Sequence, residues 1–259
     1  MKGARPQLLV EADATDPAAS SNAVAALAQL QRASLLHDLP ERVPELPFEV
    51  VVHRRYNPEG LTAYNIVPGL LGVILIMTMV LMTSLAVTRE TERGTMENLL
   101  AMPIRPGEVM FGKILPYIAI GYIQVAVVLL AARLLFEVPM LGSLGLLTLA
   151  LLAFLIANLA VGMTFSALAR NQLQAMQMTF FFFLPSILLS GFMFPFRGMP
   201  DWAQSIGEVL PLTHFLRIVR GILLKGNGPL EIWPEVWPLL LFALVAWTVA
   251  ILRYRRTLD

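Results

Sequence analysis

Five long apolar runs divide the chain, at residues 64–87, 114–136, 144–168, 176–194 and 236–252. Each is long enough for a helix to cross the hydrocarbon of a bilayer, which takes roughly 17–25 residues. The connectors differ sharply in character. Residues 137–143 form a tight turn with no Lys or Arg, and Ala169-Arg170-Asn171-Gln172 is short and polar. Residues 195–235 read as neither plainly spanning nor plainly soluble. Within them Ile206, Val209, Leu210, Leu212, Phe215, Leu216, Val219, Ile222 and Leu223 recur at helical spacing, and Gly207 and Pro211 split the pattern in two. That predicts short amphipathic helices at an interface, or a re-entrant pair. Trp202 and Trp233 suit a membrane–water boundary. Ahead of the first run, residues 7–12 read as a strand, residues 18–36 as a helix opened by Asp16-Pro17, residues 39–47 as a Pro-rich linker and residues 48–53 as a second strand. Asn57-Pro58-Glu59-Gly60 is a turn leading toward the membrane.

The expected fold is therefore an α-helical integral membrane protein with about five transmembrane helices and external amphipathic or re-entrant helices. A partial α/β extracytoplasmic subdomain occupies residues 1–60, and a transmembrane domain occupies residues 61–259. Composition agrees: 57% of residues are hydrophobic and 14% charged, against about half and a quarter in a soluble protein, and the mean hydropathy is +0.69. A net charge of +1 without a basic, aromatic-interleaved surface points away from nucleic acid. The chain has no cysteine, and its three histidines, His37, His53 and His214, lack metal-ligand spacing.

Orientation follows from the distribution of cations. Arg89, Arg93, Arg105, Lys113, Arg170, Arg253, Arg255 and Arg256 fall on one side of five alternating spans, and the 137–143 turn on the other has none. The positive-inside rule makes the first side cytoplasmic. The C-terminus is then cytoplasmic and the N-terminal subdomain external. Some sixty polar residues would have to cross with no signal segment or earlier span to lead them, so a preceding transmembrane helix is expected in the natural protein. Inside the spans polar groups are few. Gln124 and Asn158 are expected to face neighbouring helices, with a substrate path as the alternative role, and Arg133 can snorkel or meet Glu137. The middle of every span is free of charge, which argues against a proton- or ion-coupled pump.

The stretch of greatest interest is residues 88–113, containing RETERGTMENLLAMPIRPGEVMFGK. On a helix Arg89 can pair with Glu92 and Arg93 with Glu97, while Met96, Leu99 and Leu100 lie on another side and Pro103 and Pro106 limit the helix C-terminally. Gly107–Lys113 spells the first seven positions of a phosphate-binding loop, but Ile114 stands where a magnesium-ligating Ser or Thr is needed. No HExxH, paired intramembrane aspartates or nucleophile–base pair is found. Glu208 and His214, six apart with a proline between them, imply no dyad. No catalytic site is expected in this chain.

Residues 89–116 resemble the permease subunit of ABC-2-type exporters, in the bacterial branch with an extracytoplasmic domain after the first helix. That family has the pattern E-x-E-x-G-T-x-E-x-L-L-x-x-P, met here by Glu90, Glu92, Gly94, Thr95, Glu97, Leu99, Leu100 and Pro103. LSGFMFP at 189–195 and LPLTHFLRIVRGILLKG at 210–226 add supporting likeness, and the family's first of six helices has no counterpart. The resemblance implies a homo- or heterodimer of permeases in a bacterial inner membrane, serving multidrug-type efflux and working with separate cytoplasmic ABC ATPase subunits. ATP and magnesium would sit on the ATPases, with no cofactor or metal in this chain. Glu90, Glu92, Arg93, Gly94, Thr95, Met96, Glu97, Leu99 and Leu100 would form the coupling helix. The apolar spans suggest a lipophilic or amphiphilic cargo. The alternative is a membrane scaffold or receptor-like protein that recruits a cytoplasmic partner without ATP.

Overall fold

The computed structural model describes residues 7–38, 49–93 and 106–256, and the chain divides into two compact units, Met1–Asn65 and Ile66–Asp259. The first unit is built on a strand–helix–strand crossover. Strand β1 (Gln7–Asp13) and strand β2 (Glu49–Arg55) pair in parallel, from Gln7 opposite Glu49 to Asp13 opposite Arg55. Parallel neighbours need a long crossover, and helix α1 (Pro17–Asp38) lies on it. Asp16 Oδ1 accepts from the Ala18 and Ala19 amides at 3.1 and 3.2 Å, a side-chain cap that satisfies two otherwise orphaned donors. The turn at Asn57 is locked in the same way: its side chain donates to the Leu61 carbonyl and accepts from the Leu61 amide. The linker expected at 39–47, with residue 48, lies outside the described residues.

The second unit is helical. Among its described residues the five long apolar helices are α2 (Thr62–Glu92, within the unit from Ile66), α3 (Pro106–Leu134), α4 (Leu144–Leu168), α5 (Gln172–Leu189) and the last, Pro229–Arg256. Between α5 and the last helix come α6 (Asp201–Gly207), α7 (Pro211–Arg220) and a wide π-helical turn, Gly221–Lys225. The last helix is α8. All five long helices are long and apolar enough to cross a membrane, and the chain is a multi-pass α-helical membrane protein with a small strand pair at its N-terminal end.

Helix α4 is the core of the unit. Leu151, Phe154, Leu155, Ala157, Asn158 and Leu159 are fully buried. The Phe154 ring stacks on Phe215 of α7 with centroids 4.0 Å apart and planes 5° from parallel. Helix α2 crosses α4 at Gly162, where a Cβ would come within 2.9 Å of Thr83 Cβ and of the Val80 carbonyl oxygen. Only a residue without a side chain allows that approach.

Three boundaries differ from the hydropathy reading. The fourth span, expected at 176–194, is α5 at Gln172–Leu189. Asn171 starts it by accepting from the Gln174 amide at 2.8 Å, and it ends before Gly191, whose φ of +81° is left-handed. The last span, expected at 236–252, begins at Pro229. Pro229 fits a first helical position, and Glu231 reaches back to accept from the Gly228 amide, half of a capping box. The segment expected at 195–235 therefore ends before α8 begins. Finally the helix of the second span, expected at 114–136, begins at Pro106, so Gly107–Lys113 is helical; the limit that Pro103 and Pro106 were expected to set on the preceding helix lies outside the described residues.

The 201–224 stretch does break at the expected places, giving α6 and α7. Helix α7 is packed inside the unit against α4 and α8 rather than lying on its surface: Pro211–Leu216, Ile218 and Val219 are buried. Its wide terminal turn is held by the Leu223 carbonyl, which accepts from the Leu141 amide at 3.1 Å.

Candidate functional site

The charged end of α2 is tied to two other helices. Helical hydrogen bonding continues to the Arg93 amide, which donates to the Arg89 carbonyl at 3.1 Å. Helical periodicity then turns Glu90 and Glu92 in different directions. Glu90 meets Lys113 at the start of the α3 span in a half-buried ion pair. Glu92 accepts from the Gln172 amide at 2.8 Å and from its side-chain amide at 2.5 Å, at the first residue of α5. Arg89 Nε donates to Gln172 Oε1 at 3.4 Å. The two Gln172 hydrogen bonds, side chain first and then backbone, hold the Glu92 carboxyl below its ordinary range. Arg93 is exposed. Two of the acids that the resemblance assigns to the coupling helix are thus engaged within the chain, where they tie the end of α2 to α3 and α5. Gly94, Thr95, Met96, Glu97, Leu99 and Leu100 lie outside the described residues. Lys113 and Gln172 were missed by the motif, because each anchors from a different helix.

The polar residues of the spans have two fates. Gln124 Oε1 accepts from the Thr78 hydroxyl at 2.9 Å, linking α3 to α2. Asn158 is fully buried and donates to the Phe154 carbonyl one turn back at 2.8 Å, leaving its Oδ1 with no partner among the described residues. Asn158, Gly162 and Ser166 follow one another every four residues, so they share a stripe of α4, and Thr83 lies opposite at Gly162. Ser84 and Thr179 meet at 3.2 Å, joining α2 to α5.

A cavity of about 380 Å³ opens between α3, α4 and α8. It is lined by Ile114, Leu115, Ile118, Ile156, Ala243, Leu244 and Trp247, all of them apolar. Its size lies within the range of small-molecule sites. Ile114 directly follows Lys113, so the cavity begins at the level of the Glu90–Lys113 pair.

A second charged group sits around α7. His214 contacts Glu235 Oε2 of α8 through Nδ1 at 2.6 Å and the Glu208 carbonyl oxygen through Nε2 at 2.8 Å. Arg217 donates to both Glu208 carboxylate oxygens, at 3.1 and 2.6 Å, and reaches Glu235 at 3.3 Å. Its guanidinium also lies over the Phe196 ring, 4.6 Å from the centroid. The sequence reading dismissed Glu208 and His214 as a pair. The proline between them starts α7 and turns the chain back, and the third member, Glu235, comes from a helix 21 residues away.

Residues 1–252 match the family described as ABC-2 family transporter protein. Among similar proteins, the probable multidrug ABC transporter permeases YbhR and YbhS of Escherichia coli are 32% and 33% identical over 80% and 79% of this chain. The matches cover 56% and 54% of those two proteins. ABC transporter G family member 20 of Dictyostelium discoideum is 28% identical over 78% of this chain and 28% of its own length. The chain belongs to the ABC-2 transporter family. It spans about half the length of the curated relatives it matches.

Proposed function

We propose that this chain is the membrane-spanning permease part of an ATP-driven exporter, moving a lipophilic or amphiphilic compound out across a bacterial inner membrane. A separate cytoplasmic ABC ATPase would bind ATP and magnesium and dock on residues 88–113. The observation that carries the reading is the anchoring of that segment at both ends in a chain of the ABC-2 family. Glu90–Lys113 and Glu92–Gln172 hold α2, α3 and α5 together, so a force applied between residues 93 and 106 passes to three helices at once. Met96, Leu99 and Leu100 would supply the apolar anchor on the ATPase, with Arg93 and Glu97 at the rim, because buried apolar contacts carry affinity and rim charges tune docking. Gly94 and Thr95 would allow close approach. Glu90 and Glu92 position this segment rather than touch the partner.

The cargo class is supported by the apolar cavity between α3, α4 and α8. Exposed apolar residues on α3, among them Leu115, Ile123, Val127 and Leu130, suit lipid and a second permease. Residues 88–113 and the C-terminus would face the cytoplasm and the N-terminal unit the outside.

Co-purification with a cytoplasmic ATPase tests the reading. The ATPase co-elutes and its hydrolysis depends on the permease. Met96→Asp with Leu99→Asp weakens association by at least about thirtyfold, the scale of losing a central apolar contact. Undiminished association in that variant would sink the proposed docking surface. In the same preparation Leu244→Trp fills the cavity and lowers transport of a lipophilic dye while leaving ATPase association intact.

A further inference from the structure

The cluster around α7 does not follow from the exporter reading. The Glu208 carbonyl oxygen can only accept a hydrogen bond, and an ionised Glu235 carboxylate likewise. Both nitrogens of His214 face such acceptors, at 2.8 and 2.6 Å. A neutral imidazole has one N–H and can serve one of them; the cation has two and serves both. The His214 side chain is only 6% exposed, so water cannot readily replace the lost donor. With the proton present the group holds two cations, His214 and Arg217, against two anions, Glu208 and Glu235. Without it a half-buried site carries one uncompensated negative charge, a costly state.

We propose that His214, Arg217, Glu208 and Glu235 form a proton-operated latch between α7 and α8, fastened while the imidazole is doubly protonated and loosened when it loses a proton. The surroundings leave few other groups to interfere. Helices α4 and α5, and α2 as far as Thr88, contribute no charged side chain to the contact. Arg220 donates to the Gly191 carbonyl at 3.3 Å, Arg197 and Asp201 lie on the 196–198 turn and on α6, and Glu231 accepts from the Gly228 amide. Lys225 lies in the turn beyond α7.

Burial lowers the His214 pKa, but the hydrogen bonds to Glu235 and to the Glu208 carbonyl, with the fields of both carboxylates, outweigh it and raise the net value above 6.5. A raised folded-state value places the latch's stabilisation fully below the unfolded pKa of about 6.5, and removes it as pH rises through the folded value. The pH at this end of the helices thus sets how firmly the buried helix α7 is held to the last span.

Hydrogen exchange on the protein in lipid nanodiscs, corrected for the intrinsic pH dependence of exchange, reads the latch directly. Amides of residues 213–218 are protected about tenfold more at about pH 5.5 than at about pH 8.5, the scale of one charged hydrogen bond. In His214→Gln the protection is the same at both. Equal protection in the wild type, or an unchanged pH dependence in His214→Gln, overturns the proposal. A second arm leaves the latch intact: in His37→Gln/His53→Gln, His214 is the sole histidine, and its ring ¹⁵N shifts report the doubly protonated form at pH values above 6.5. A neutral ring there overturns the latch whether or not His214→Gln folds.

Discussion

Glu90 illustrates how a motif residue changes meaning once its neighbours are known. Read along the chain it is one of the acids of the family pattern; in space it faces Lys113 across the start of the α3 span. Lys113 is the more enclosed member, its side chain 17% exposed against 34% for Glu90, so removing Glu90 strands a cation. Glu90→Gln is expected to cost about 1–2 kcal/mol, between the values for exposed and buried pairs. Glu90→Lys with Lys113→Glu should recover at least half of the loss caused by Glu90→Lys alone. Thermal unfolding in detergent measures both, and additive losses would remove the pair as the anchor. Gly162 makes a second case at this scale. Gly162→Val drives a side chain into Thr83 and the Val80 carbonyl, prising α2 from α4 at a cost of about 1–3 kcal/mol, read from the same melting curves.

Among elements, α7 departs most from what its sequence suggests. Ten residues with two arginines and a histidine resemble a surface helix, yet α7 lies in the core, with Thr213, His214 and Arg217 each hydrogen-bonded there. Thr213 Oγ1 donates to the Gly207 carbonyl at 2.6 Å, and Arg217 and His214 share the acids of α6's end and α8. Its apolar face rests on α4 through the Phe154–Phe215 stack. Phe154→Ala is therefore expected to destabilise by about 3–5 kcal/mol, the range for deleting a buried ring, and to raise hydrogen exchange in α7 before α3. Simultaneous loss in both would make α4, rather than its contact with α7, the unit affected. The ends of α5 and α8 were misplaced because hydropathy detects where apolar residues accumulate. A helix starts where its amides find caps, and here those are Asn171 and the Gly228–Glu231 pair.

For the molecule as a whole, the proposed orientation has a clean test, since the chain contains no cysteine. Single cysteines at Arg170 and at Gly142 should react differently with a membrane-impermeant maleimide applied to intact cells. Gly142→Cys places a side chain against Ile222, so Leu141→Cys, at an exposed residue, is the better outer probe. Labelling at 141 and protection at 170 supports a cytoplasmic 88–113 segment, and the reverse inverts it. The family, the helical membrane fold and the number of long apolar helices were legible from the sequence, because each rests on local properties: run length, turn chemistry and a contiguous motif. The α1 cap and the split at Gly207 and Pro211 were equally local. Decided only by tertiary structure were the partners of Glu90 and Glu92, the cavity between α3, α4 and α8, the burial of α7, and the joining of His214 to Glu235. These depend on which faces of distant helices meet. Hydrogen bonds and ion pairs act over a few ångströms, and residue spacing along one helix says nothing about what another helix brings within that range.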